Sequence, residues 1–237
     1  MADSEVYLPG PHCALLSCGS SESAAQPDWF DPGWWGDQAT PVSEGGRGGA
    51  WFIHQHEGDW VLRHYRRGGL PAKVSQRSYL FVSERRCRSF AEFRLLRQLQ
   101  ALGLPVPEPV AAFYCKRAPW LYQAAILVRR IPGAEPLPAS DRLREDGLWQ
   151  QVGQMIRRFH DAGLDHVDLN VDNILVAGNR VYLIDFDRCR LHEPGTGNGW
   201  RERNLGRLKR SVEKRCQSLP EAQRERLWQC LRAAYAG

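Results

Sequence analysis

Two short apolar runs in the second half of the chain, Asn173 to Val176 and Val181 to Ile184, are rich in aliphatic and aromatic residues and are separated by Ala177-Gly178-Asn179-Arg180. Runs of this length around a Gly/Asn turn signal predict a β-hairpin. Just upstream, Leu148 to Ala162 places Val152, Ile156 and Phe159 on one side, the spacing of an amphipathic helix, with Gly163 suited to end it. Earlier in the chain, Ala50 to Ile53 and Asp59 to Tyr65 flank a Glu57-Gly58 turn signal and read as another hairpin. Val110 to Tyr114 and Gln123 to Val128 read as two further strands. Between these pairs a helix runs from Ser89 to about Leu102, with Phe93, Leu96 and Leu99 on an apolar face and Gly103 after it. Leu104 to Pro109 must be extended, because residues before proline avoid the helical region. Two helices, Trp200 to Leu219 and Pro220 to Tyr235, close the chain.

This order of elements is α+β, with strands and one helix first, then a mainly helical half that carries the hairpin. Arg129-Arg130-Ile131-Pro132-Gly133 reads as the connection, giving lobes over residues 28–130 and 131–237. Residues 1–27 carry Pro9, Pro11 and a Ser-rich tract, and predict a loose tail. Asp28 to Trp35 (DWFDPGWW) is dense in aromatics and predicts a short helix or turn covering the first lobe.

With 237 residues the chain can bury a substantial core without disulfides. Its seven cysteines, at 13, 18, 87, 115, 189, 216 and 230, are odd in number and form no CxxC pair. They read as reduced thiols in a cytosolic protein. No apolar run approaches the ~18 residues of a membrane span, and the N-terminus, with Asp3 and Glu5, lacks the basic region of a secretory signal. The net charge of +5 is unevenly spread: residues 1–60 hold one basic residue against nine acidic, and residues 61–130 hold fourteen basic against three acidic. So basic a segment suggests a partner rich in phosphate or carboxylate: nucleotide, nucleic acid or an anionic membrane surface.

The chemistry concentrates between Leu164 and Arg190, which reads LDHVDLNVDNILVAGNRVYLIDFDRCR. His166-x-Asp168-x-x-x-x-Asn173 precedes the hairpin, and Asp185-Phe186-Asp187 follows it. A hairpin returns its ends to one side, so Asn173 and Asp185 are expected beside Asp168. That set suits phosphoryl transfer, in which one Asp accepts the proton of the attacking hydroxyl while an Asn and a second Asp hold Mg²⁺ against nucleotide phosphates. Gly45-Gly46-Arg47-Gly48-Gly49, ahead of the first hairpin, could bring backbone N–H groups to phosphates, although it is not G-x-G-x-x-G. Ser89-x-x-Glu92 matches a capping box, and Glu92 is equally placed for an ion pair with Arg63 on the preceding strand.

The catalytic stretch resembles the protein-kinase-like superfamily. FDPGWWG, GGRGGAWFI, WVLRHYRRGG, GLPVPEPVAA, HVDLNVDNILV and VYLIDFDRCRL together resemble the lipopolysaccharide kinase family, over roughly residues 28–215. The resemblance implies a two-lobed kinase-like fold, with an N-terminal antiparallel sheet lobe carrying one helix. It implies ATP-dependent phosphorylation, with Mg²⁺, of the 4-hydroxyl of a 3-deoxy-D-manno-octulosonic acid (Kdo) residue on a lipid A precursor. Attachment would be peripheral, at the cytoplasmic face of a bacterial inner membrane.

On this reading Asp168 is the catalytic base, Asn173 and Asp185 hold the metal, and Arg63 with residues 45–49 steadies the ATP phosphates. Arg63 stands where protein kinases carry Lys, and the two are not interchangeable. Arg66, Arg67 and Lys73 are candidates for the anionic substrate, Asp187 is a candidate for a further metal or substrate contact, and His166 braces the loop. Asp187 replaces the glycine of Asp-Phe-Gly, and no Ala-Pro-Glu follows, which argues against a peptide-docking lobe. A different sugar kinase or a small atypical protein kinase would use the same residues. A non-catalytic binding module fits less well, and no nucleic-acid motif accompanies the basic segment.

Overall fold

The structure, a computed structural model, describes residues 5–18, 25–42, 49–65, 78–193, 197 and 199–237. The chain divides into two compact units, residues 1–97 with 108–130 and residues 98–107 with 131–237.

The first unit is an antiparallel sheet. Its strands are β1 (Glu5–Pro9), β2 (Cys13–Cys18), β3 (Ala39–Pro41), β4 (Ala50–Ile53), β5 (Trp60–His64), β6 (Tyr79–Leu80), β7 (Pro109–Ala118) and β8 (Leu121–Arg129). They lie in the order β1-β2-β7-β8-β5-β4-β3, with β6 paired to β8. The aromatic segment forms a short 3-10 turn, Pro27–Phe30, and one helical turn, α1 (Pro32–Trp35), whose N-terminus Asp31 caps by accepting from Gly33 N at 2.9 Å. Trp29, Phe30 and Trp35 join Leu15, Ile53, Leu62 and Leu127 in one core cluster. The Trp35 indole donates to the Trp29 carbonyl at 2.9 Å, which removes the penalty of burying its N–H.

Two expectations fail here. Residues 5–18 are not a loose tail, because β1 and β2 form a hairpin whose second strand pairs with β7. Ala14, Leu15 and Leu16 are almost wholly buried. β2 lies between two strands and buries both faces, so it shows no polar alternation. Pro9 ends β1, and Gly10 N donates to Cys13 O at 2.8 Å to close the turn, so the prolines punctuate a hairpin. Nor are all seven cysteines thiols. The β2–β7 register sets Cys13 opposite Cys115, Cα atoms 4.1 Å apart, and they form a disulfide. No local spacing announces a pair 102 residues apart.

Helix α2 (Arg88–Ala101) starts one residue before the predicted cap. Ser89 is therefore inside the helix and donates its hydroxyl to Phe113 O at 2.9 Å, so the capping box does not form.

The second unit contains β9 (Glu135–Pro136), α3 (Asp146–Asp161), β10 (Leu164–Asp165), β11 (Ile174–Ala177), β12 (Arg180–Leu183), β13 (Arg190–Leu191), α4 (Gly199–Arg215) and α5 (Glu221–Ala236). α3 packs on α5, burying Leu148, Trp149, Val152, Ile156 and Phe159. Each such large apolar side chain contributes roughly 1.5–3 kcal/mol of burial. Gly163, with φ +86°, turns the chain out of α3, and its carbonyl accepts from His192 N at 2.8 Å. A Cβ there would lie 2.5 Å from His192 O, so glycine is required on both counts. The chain then enters β10, paired with β13, and arrives at His166.

Candidate active site

The hairpin β11–β12 pairs Ile174 with Leu183 and Ala177 with Arg180, leaving Gly178-Asn179 as a two-residue turn. Gly178 has φ +54° and Asn179 does not share the positive φ, the pattern of a II′ turn. One bond beyond the ladder, Ile184 N donates to Asn173 O at 3.0 Å. Asn173 and Asp185 thus sit at adjacent ends of the two strands.

Asp185 has φ +63°, a left-handed conformation uncommon for a residue with a Cβ. The buried Phe186 holds it there, its ring 6.2 Å from Phe159 and 5.4 Å from His166. Such strain persists only where surrounding packing over-determines it.

The loop before the hairpin is clamped by amides. Asn170 Oδ1 accepts from Asp172 N (2.9 Å) and Asn173 N (3.2 Å), capping a short 3-10 turn. The Asp168 carbonyl accepts from Asn170 Nδ2 at 2.9 Å and from Asn173 Nδ2 at 3.0 Å. With Nδ2 so engaged, the Asn173 side chain offers Oδ1 as its remaining polar atom. Leu169 and Val171 pin the loop to the core. The Asp168 carboxylate is exposed and makes no hydrogen bond or ion pair among the described residues.

His166 is buried, and its Nε2 donates to Ile184 O at 3.0 Å, tying the loop to the end of β12. Burial lowers its pKa below the ordinary histidine value, which keeps the ring neutral.

Helix α4 supports the same loop along one face. Asn204, 2% exposed, accepts from His166 N and donates to Asp165 Oδ1, both at 2.9 Å. Ser211 Oγ accepts from Val171 N at 3.0 Å, and Arg215 Nε meets Asp172 Oδ2 at 2.9 Å. Residues 204, 211 and 215 share a helix face by their spacing. Sequence reading missed all three and Asn170. The one signal was Asn204 itself, a polar residue in the apolar i+4 series of Trp200, Leu208 and Val212.

In the first unit, Arg63 on β5 meets Glu92 on α2, its Nη2 2.5 Å from both carboxylate oxygens. The Tyr65 hydroxyl donates to the same carboxylate at 2.5 Å. Of the two roles open to Glu92, the structure shows the ion pair. Glu92 is 4% exposed, whereas 26% of the Arg63 side chain remains accessible. Gly49 enters β4 and its carbonyl accepts from His64 N at 2.7 Å. Gly45, Gly46, Arg47, Gly48, Arg66, Arg67 and Lys73 lie outside the described residues. Asp187 is half-buried directly after Phe186.

Residues 33–235 match the lipopolysaccharide kinase (Kdo/WaaP) family. The chain belongs to this family. A 3-deoxy-D-manno-octulosonic acid kinase of Stenotrophomonas maltophilia is 53% identical over 194 residues, covering 80% of this chain and 76% of that one. Its counterpart in Xanthomonas campestris pv. campestris is 51% identical over 187 residues, covering 78% and 74%. Among solved structures, WaaP in complex with acyl carrier protein superposes with a TM-score of 0.51 at 17% identity, covering 81% of this chain and 78% of that one. An aminoglycoside-3'-phosphotransferase of type VIII gives 0.53 at 16% identity, covering 83% and 90%. These structures show that the lipopolysaccharide kinase chain has the protein-kinase-like fold expected from its motifs.

Proposed function

We propose that this protein transfers the γ-phosphoryl group of ATP to the 4-hydroxyl of a Kdo residue on a lipid A precursor. The observation that carries the reading is the exposed, uncommitted Asp168 carboxylate on a loop anchored by Asn170 and Asn173, in a chain half identical to Kdo kinases. Asp168 orients the sugar hydroxyl and accepts its proton as the oxygen attacks the γ-phosphorus and the bond to the β-phosphate oxygen breaks, releasing ADP.

Among the described residues no group of three or more His, Cys, Asp and Glu side chains could hold a metal ion unaided. Mg²⁺ does not need one, since it binds through one or two protein oxygens together with substrate phosphates. The hard oxygens of Asn173 and Asp185, held at adjacent strand ends, fit that role. When bound, Mg²⁺ supplies neutralisation of phosphate charge. Arg63, oriented by Glu92, is assigned to the ATP phosphates.

The protein is assigned, on the same reading, to a peripheral position at the cytoplasmic face of the inner membrane. The support is the lipid nature of the acceptor and the basic excess of residues 61–130. No helix among the described residues is long and apolar enough to cross a membrane.

The test is mass spectrometry of a Kdo-bearing lipid A precursor incubated with the protein, Mg²⁺ and ATP, beside an Asp168→Ala control. The expected result is one added phosphate on Kdo, absent from the control. Unmodified Kdo with ATP binding intact would move the acceptor to another sugar.

A further inference from the structure

One corner of the first unit takes no part in this chemistry. Leu80 lies opposite Leu121 in the β6–β8 ladder, and Phe81 N donates to Trp120 O at 2.9 Å, so residues 80–82 run beside the β7–β8 turn. Strand alternation sends Tyr79 inward, 8% exposed, and leaves Leu80 and Val82 outward. Leu80 and Val82 are each 66% exposed and Trp120 is 62% exposed. Single exposed apolar side chains are ordinary, but three adjacent ones at a hairpin tip call for a partner.

The charge around them indicates its nature. Residues 78–88 and 114–122 hold five cations, Arg85, Arg86, Arg88, Lys116 and Arg117, against one acid, Glu84. Glu84 is turned to the protein, accepting from Tyr114 OH at 2.6 Å and Tyr7 OH at 2.9 Å. Arg85, Arg86 and Arg117 are exposed and make no ion pair among the described residues. Lys116 Nζ lies over the Phe81 ring, 3.9 Å from its centre, a cation–π contact that engages this charge with the protein.

We infer that this corner docks on an anionic lipid bilayer. Leu80, Val82 and Trp120 enter the headgroup region while Arg85, Arg86 and Arg117 meet lipid phosphates. Tryptophan beside basic side chains is the chemistry of the membrane–water interface. Arg85, Arg86 and Arg117, exposed and without an ion pair among the described residues, favour a phosphate surface over an apolar groove in another protein. One small wedge plus a basic rim gives reversible attachment. The inference rests on the peripheral membrane position proposed above and gives it a surface. It does not depend on which sugar is phosphorylated, and variants that bind as wild type would overturn the surface while leaving that position standing.

The test is co-sedimentation of the full chain with vesicles of phosphatidylethanolamine and phosphatidylglycerol, and with vesicles of phosphatidylcholine alone. Wild type is expected to pellet with the anionic vesicles. Leu80→Ser/Val82→Ser/Trp120→Ser and, separately, Arg85→Glu/Arg86→Glu are expected to weaken that binding at least about tenfold. Trp34→Ser, which removes an exposed tryptophan elsewhere in the unit, should bind as wild type. Circular dichroism confirms that each variant is folded, and the charge-reversal pair touches no core residue. Wild type left in the supernatant, or variants that bind equally well, would overturn the inference. Self-association without lipid that the triple substitution abolishes would also overturn it, in favour of a second copy.

Discussion

Arg63 and Asp168 are both assigned to the reaction, yet their surroundings hold them by opposite devices. In the first unit a carboxylate that is 4% exposed is bound by a guanidinium and a tyrosine hydroxyl, so the charges there are committed to each other. In the second, neutral amides of Asn170 and Asn173 grip the Asp168 backbone carbonyl and leave its carboxylate to solvent. A buried ion pair that loses one member strands the other, whereas an amide clamp fixes position without engaging the charge. Damage to the first device should therefore appear as lost stability, and damage to the charge held by the second as lost rate.

The largest expected effect is Asp168→Ala, with kcat falling about a thousandfold and the melting temperature moving by less than about 2 °C. A large drop in melting temperature would break the comparison, because Asp168 would then be structural. Next is Arg63→Met, expected to cost roughly 3 kcal/mol in urea unfolding by removing the guanidinium charge that compensates the buried Glu92 carboxylate. Arg63→Met/Glu92→Met should cost less than the sum of the single changes. Simple additivity would mean that the two side chains are independent.

The second unit also buries neutral imidazoles, which gives it an acid limit. Burial drops the His160 pKa from 6.5 to about 4. The unfolded chain therefore takes up the proton first, so this stability is complete above pH 6.5 and is lost as pH falls towards 4. The loss amounts to roughly 3 kcal/mol, and denaturant melts of His160→Gln should show a flatter acid limb than wild type. The smallest contrast lies within α4. Asn204→Ala removes a buried acceptor and donor and is expected to cost about 2 kcal/mol, with a fall in kcat that reports the displaced loop. Arg215→Ala breaks an exposed pair and should cost under about 1 kcal/mol. Equal costs would mean that burial does not decide the strength of this support.

Much of the site was legible because its order is local. The two-residue turn at Gly178, the helix delivering the chain to Gly163 and the spacing of His166, Asp168, Asn173 and Asp185 all lie within a few dozen residues. Their side-chain types carry the geometry with them. The supports were not legible in the same way, since Asn204 reaches His166 across 38 residues and Ser211 reaches Val171 across 40.

The sequence by itself determined the hairpin, the amphipathic face of α3 and the set of oxygens suited to phosphoryl transfer. Turn chemistry and helical periodicity act between near neighbours and need no knowledge of the fold. Tertiary structure decided that Glu5–Pro9 and Cys13–Cys18 are strands, that Cys13 faces Cys115, and that Glu92 takes Arg63 in place of a helix cap. Each of these depends on sheet register or on the partner a buried charge can reach. Such pairings are chosen by the packing of the whole unit and leave no periodic trace in the chain.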